Sequence, residues 1–127
     1  MIAADTSTWI AFLEGSHGDD VALLNRALED RQVLMVSIVL TELLSDPKLP
    51  ASVAETLVDV PMIEITPGFW QRAGQLRARI LAKRSKARLG HALIAQACID
   101  RGIVLLTRDR DFRAFSNTTG LDLALPI

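Results

Sequence analysis

The chain has 127 residues, half of them apolar and 23% charged, with a formal net charge of −1. This length fits a single domain spanning residues 1–127, and this composition excludes a disordered chain. No apolar stretch approaches the roughly 20 residues of a membrane helix, and a lone cysteine, Cys98, excludes an internal disulfide.

The predicted elements alternate along the chain. Ile2-Ala3-Ala4 reads as a strand ending at Asp5, and Thr6 to Glu14 as a helix stopped by Gly15. The start Met1-Ile2-Ala3-Ala4-Asp5 has no basic region ahead of its apolar run, so no signal peptide is expected and the cytoplasm is the expected compartment. Asp19-Asp20 opens a helix carrying Val21, Leu23, Leu24 and Leu28. Val33–Val36 reads as a second strand, followed by a helix that Ser37 caps and that stops before Pro47. Ala51 to Val58 reads as a helix, and Met62–Ile65 as a weaker strand bracketed by Pro61 and Pro67. From Gly68, the spacing of Phe69, Ala73, Leu76 and Ile80 predicts a long helix. Another helix follows Gly90 and ends at Gly102. Ile103–Leu106 reads as a strand ending at Thr107, and Leu121–Leu125 as a late short one.

Apolar runs without alternation suit strands covered on both faces, so the expectation is an α/β domain with a central, mostly parallel sheet. Sites in such folds form beyond the carboxyl ends of strands. Asp5 and Asp109 fall there. Asp5 also suits the N-cap of the next helix, and the two roles are compatible. Glu42 lies in a largely apolar helix, either at its solvent edge or facing a polar cleft. Thr107-Arg108-Asp109-Arg110-Asp111-Phe112 reads either as a self-paired charged turn or as a loop of hard oxygen ligands for Mg²⁺ or Mn²⁺. Carboxylates gathered in one cleft repel, and a cation relieves that repulsion.

Charge is unevenly spread. Residues 1–64 carry 11 acids and three bases, net −8, and residues 65–127 carry four acids and 11 bases, net +7. Seven of those bases lie between Arg72 and Arg88 with no acid among them. Arg72, Arg79, Lys83 and Lys86 are candidates to meet a polyanion or an acidic partner; the alternative is a solvated helix face. Cys98 is expected to pack on the apolar side of its helix. No nucleophile–base pair and no phosphate-binding glycine motif stands out.

Taken in order, Asp5-Thr6-Ser7, Glu42, Leu89-Gly90-His91-Ala92-Leu93-Ile94-Ala95 and Thr107-Arg108-Asp109-Arg110-Asp111-Phe112 resemble the PIN-domain family. The match is closest to the VapC-type toxins of bacterial toxin–antitoxin pairs. The resemblance covers nearly the whole chain and is most specific from Leu89 to Phe112. It implies a three-layer α/β/α sandwich and a metal-dependent endoribonuclease leaving a 3′-hydroxyl and a 5′-phosphate. It also implies a homodimer and a cognate antitoxin, and the opposed charge of the two halves adds the expectation that the antitoxin docks a small acidic or amphipathic segment. Asp5, Glu42 and Asp109 match the family's metal-site acids, Asp111 an accessory acid, and Ser7 and Thr107 hydroxyls near the site. His91 departs from the pattern, which carries Asp there. It admits three readings: a natural metal ligand favouring Mn²⁺ or a softer ion, a mark of weakened catalysis, or an engineered change. An aspartate there would also suit a helix N-cap better. The competing readings of function are a PIN-like binding module without turnover and a phospho-receiver signalling domain. The receiver reading needs an acid pair after strand one and a late Lys, and no Lys follows Lys86.

Overall fold

The computed structural model describes residues 1–127. Three short strands, β1 (Ile2–Ala4), β2 (Val33–Leu34) and β3 (Val104–Leu106), form a parallel sheet in the order β2-β1-β3. Helices flank it: α1 (Thr6–Leu13), α2 (Asp19–Glu29), α3 (Ser37–Leu44), α4 (Ala51–Val58), α5 (Phe69–Ala82), α6 (Leu89–Arg101) and α7 (Phe112–Thr118). The expected α/β class with a parallel sheet is therefore the observed one. No helix is long and apolar enough to cross a membrane.

β1 is the central strand, and its Ala3 and Ala4 are buried. Its register against β3 pairs Ala4 with Leu106 and so sets Asp5 beside Thr107 at the carboxyl end of the sheet. α6 is buried along most of its middle, at Ala92, Ile94, Ala95, Gln96, Ala97 and Cys98. Small residues there let neighbours approach closely, and α5 packs against α6 through the stripe Phe69, Ala73, Leu76 and Ile80. Glycine is favoured where α6 ends, because Gly102 adopts φ +62° in the left-handed region.

A polar tie fastens α5 to α6. The Arg72 guanidinium donates from Nε to Asp100 Oδ1 at 3.0 Å and from Nη2 to Asp100 Oδ2 at 2.6 Å. It also donates to Pro67 O and Thr66 Oγ1, while Gln96 Nε2 donates to Asp100 Oδ1. The Arg72 fork holds the Asp100 carboxyl below its ordinary value of 3.8. Arg72 is thus tied within the fold, with its side chain still 38% exposed.

Several boundaries differ from the sequence expectations. Met62–Ile65 is not a strand: it contributes one parallel bridge, Met35 to Met62, with Ile63 N donating to Met35 O at 2.8 Å. Pro61 and Pro67 bracket the segment and limit its ladder. The segment Leu121–Leu125 likewise gives one bridge, Leu105 to Leu123. Ser37 is the first residue of α3 rather than its cap, a place taken by Val36 without a side-chain bond. α6 starts at Leu89 with Arg88 as its cap, so His91 is its third residue. The capping argument for an aspartate at that position therefore falls away. α7 went unanticipated because Ser116, Asn117 and Thr118 favour helices weakly; buried Phe112 and Phe115 hold it instead.

Two outcomes follow from this packing. Phe69 is fully buried and meets Trp70 edge-on at 4.9 Å. Phe69→Ala is expected to destabilise the chain by about 3–5 kcal/mol in urea unfolding. The Arg72–Asp100 tie predicts an acid effect. A depressed carboxyl pKa contributes stability that is complete above the ordinary value of 3.8 and is lost as pH falls through the folded-state value. Arg72→Ala should lower Tm at neutral pH and lose less further stability than the parent chain on acidification below that value, as thermal scans across pH will show.

Candidate metal centre

Asp5 is the best-anchored acid of the chain. It terminates β1, is 3% exposed and is the N-cap of α1, accepting from Thr8 N at 3.1 Å through Oδ1. Ser7 Oγ donates to the same oxygen at 2.8 Å and lies 3.0 Å from Oδ2. Thr107 Oγ1 donates to Oδ2 at 2.7 Å. Burial pushes the Asp5 carboxyl up; the bonds from Thr107, Ser7 and Thr8 oppose that, and the charge of Asp109 adds to it.

Thr107 carries the order onward into the loop after β3. Its Oγ1 accepts from Asp109 N at 3.0 Å, and Asp109 Oδ1 accepts from Asp111 N at 2.9 Å. These bonds hold the Asp109 carboxyl at the start of α6. There His91 Nε2 lies 3.1 Å from Asp109 Oδ2. The imidazole is tilted against Phe112 with ring centres 4.5 Å apart, and its Nδ1 is buried without a hydrogen-bond partner. Candidate ligand atoms of His91, Asp109 and Asp111 all lie within 4.8 Å of one another. One imidazole nitrogen and two carboxylates form a donor set that fits a divalent ion.

The residues singled out in the sequence are thus grouped unevenly. Asp109, Asp111 and His91 form the tight cluster. Asp5, Ser7 and Thr107 adjoin it through the bonds just described. Glu42 stands apart from it: the residue is exposed, and its Oε1 accepts from Thr6 Oγ1 at 2.9 Å, next to Asp5 in sequence. Of the basic residues, Lys86 reaches the cluster, its Nζ lying 3.2 Å from Asp111 Oδ2. Arg79 donates to Thr118 O at 3.0 Å, and Lys83 is exposed.

Three further residues touch this region without having been singled out for it. Thr8 Oγ1 donates to Asp20 Oδ2 at 2.9 Å. Arg108 donates from Nε to Asp20 Oδ2 at 2.8 Å and from Nη2 to Asp20 Oδ1 at 2.7 Å. Arg108 was visible in the loop motif, but Asp20 is 88 positions away and gave no local signal beyond a helix start.

Residues 2–117 match the family model described as PIN domain. Among curated proteins none matches the sequence. A solved structure of similar fold is that of VapBC-5 from Mycobacterium tuberculosis, a member of the VapBC family of toxin–antitoxin systems. It matches with a TM-score of 0.69 at 17% identity, covering 96% of this chain and 95% of that one. At that identity the likeness is one of fold.

Thr107 generates the prediction here. Thr107→Val removes the donor to Asp5 Oδ2 and the acceptor of Asp109 N at nearly unchanged volume. The expected cost is about 1–3 kcal/mol in equilibrium unfolding, since a buried carboxylate loses a partner.

Proposed function

The chain belongs to the PIN domain family, and on that premise we propose that it is a divalent-metal-dependent endoribonuclease, the toxin of a toxin–antitoxin pair. The observation that carries this reading is the convergence of His91, Asp109 and Asp111 within 4.8 Å beside the buried Asp5. Its fold is also that of the VapBC-5 structure.

Asp109, Asp111 and His91 would hold a Mg²⁺ or Mn²⁺ ion, with Asp5 and Glu42 adding negative charge at the same end of the sheet. Such an ion supplies a Lewis acid for the scissile phosphate and a water acidified for attack. The chain's own groups do the rest. Ser7, Thr8 N and Thr107 fix the orientation of Asp5. Lys86 sets a positive charge beside Asp111, where a phosphodiester would approach, and Lys83 and Arg79 are exposed bases of the same basic run. Arg72 is tied to Asp100 and offers less free charge to such a surface.

The antitoxin has a candidate seat. A groove between α1, α3 and α4 is lined by Ile10, Leu13, Leu43, Leu49 and Val53, with Glu14, Glu42 and Asp46 among its acids and Lys48 as its base. Of the acidic or amphipathic segment expected, this balance suits the amphipathic one, with an apolar face and basic side chains. Self-association into a homodimer belongs to the same reading, and Trp70 and Leu81 on α5, 63% and 46% exposed, are apolar groups for such a contact to cover.

A second reading, a PIN-like binding module without turnover, draws on one observation: His91 Nε2 already engages Asp109 Oδ2 at 3.1 Å. Cleavage of a mixed RNA pool with Mg²⁺ and then Mn²⁺ separates the two. The nuclease should leave 3′-hydroxyl and 5′-phosphate ends and lose at least about 100-fold in rate on Asp109→Asn, the upper range for loss of a supporting partner in a metal site. No cleavage with either ion, alongside intact antitoxin binding, selects the binding module. His91→Asp is expected to raise Mg²⁺ affinity in calorimetry and to speed Mg²⁺-dependent cleavage, because Mg²⁺ prefers oxygen ligands. As the third residue of α6, the new aspartate also gains about 0.3–1 kcal/mol from the helix dipole, without a capping bond.

A further inference from the structure

We propose that the ion pair of Asp20 and Arg108 positions the loop bearing Asp109 and Asp111, making Asp20 and Arg108 positioning residues for the metal centre. The inference rests on the metal-centre reading above. Three observations carry it.

The first is bond geometry. Arg108 lies between Thr107 and Asp109, and its guanidinium grips both oxygens of Asp20 at 2.7 and 2.8 Å. Such a two-pronged contact fixes orientation as well as distance. Arg108 Nη2 also donates to His17 O at 3.3 Å.

The second is closure of the network. Thr8 bonds to Asp5 through its backbone N and to Asp20 through its hydroxyl. Arg108 N donates to Ser7 Oγ at 3.4 Å, and Thr107 Oγ1 donates to Asp5. The path from Asp5 through Thr8, Asp20, Arg108 and Thr107 therefore returns to Asp5. A ring of this kind ties the end of β1, the start of α2 and the loop after β3 into one unit.

The third is the space left for the pair. Gly18 has φ +153°, and a Cβ built there would lie 2.6 Å from Asp20 Oδ1 and 2.8 Å from Arg108 Nη2. The fork rests on bare backbone. Asp20 is buried, with only 10% of its side chain exposed, and its partner draws its carboxyl below the ordinary range. A surface loop with no other task has little reason to bury an acid against an arginine and a glycine. A metal site has one, because its ligands must be held by partners that do not themselves ligate.

Arg108→Lys tests this. Lysine keeps the charge but loses the paired bonds. A second variant, Asp20→Asn with Arg108→Gln, removes both charges and leaves no buried ion unpaired. Three quantities are to be read on each folded variant: amide exchange at Asp109 and Asp111, Mn²⁺ affinity by calorimetry, and kcat and KM for RNA cleavage. The expected result is faster exchange at those two amides with the helices unchanged, and Mn²⁺ affinity lower by about 10–100-fold. The loss of kcat should exceed the change in KM. Unchanged loop exchange overturns the proposal, and so does unchanged Mn²⁺ affinity in a variant whose loop amides have opened. A parent chain that binds no Mn²⁺ overturns the metal-centre reading and this inference together. That outcome is distinct from failure of the inference alone, in which parent and variants bind Mn²⁺ equally well.

Discussion

One buried carboxylate governs how this end of the molecule is assembled. Asp5 sits between a strand and a helix with 3% of its surface exposed, a costly place for an acid unless its oxygens are satisfied. They are satisfied by two hydroxyls and one backbone N–H, all from residues that the fold itself brings to this point. Thr8 N is free to donate because it belongs to the first turn of a helix. Thr107 arrives because β3 pairs with β1 in the register that aligns Leu106 with Ala4. Asp5 N closes the arrangement by donating to Leu106 O at 3.0 Å. A one-residue slip of β3 would carry Thr107 away from Asp5 and withdraw a donor from a buried charge. Sheet register and site geometry are therefore stabilised by the same bonds.

The uneven charge along the chain takes on a different meaning in three dimensions. Some acids of the first half meet bases of the second, as Asp20 meets Arg108 and Glu64 meets Arg101. Others are matched within the second half, as Asp100 is by Arg72 and Asp111 by Lys86. The exposed pairs contribute little to stability. Arg72 and Arg108 are different, because each presents a planar fork to an acid that is mostly covered. The basic run between Arg72 and Arg88 is consequently no uniform patch: its first member is an interhelical fastener, and Lys86 stands at the acidic cluster.

Much of this fold was legible in the sequence because its strands are short apolar runs ending in polar residues. Ile2–Ala4 and the helix Ala51–Val58 have the boundaries read from the sequence. Asp5 and Asp109 were legible as site candidates because both follow such strands, and the family resemblance added Glu42 and His91. What local pattern could not supply was the partner of each group. Arg72 looked like any other arginine on a basic helix until α6 placed Asp100 against it. The weak strands at Met62 and Leu123 shrank to single bridges because neighbouring prolines and exposed polar residues leave no longer ladder to form. α7 depends on two buried phenylalanines rather than on helix propensity, and tertiary packing of that sort leaves little trace in a short window.

α7 matters to the site more than its length suggests. The loop after β3 runs from Thr107 to Asp111 and is pinned at both ends. At its start, Thr107 is buried and bonded to Asp5. At its end, Phe112 is fully buried, packs against Phe115 and presents its ring to His91. The aromatic floor that fixes the tilt of the imidazole is therefore the same group that ends the loop carrying the two aspartates. Displacing Phe112 would move His91 and Asp111 together. A loop of five residues fixed at each end and gripped at Arg108 has little freedom left, so its carboxylates face each other closely despite their mutual repulsion. Lys86, 3.2 Å from Asp111 Oδ2, offsets part of that repulsion, and the pinned loop holds Asp109 and Asp111 near His91 against the rest.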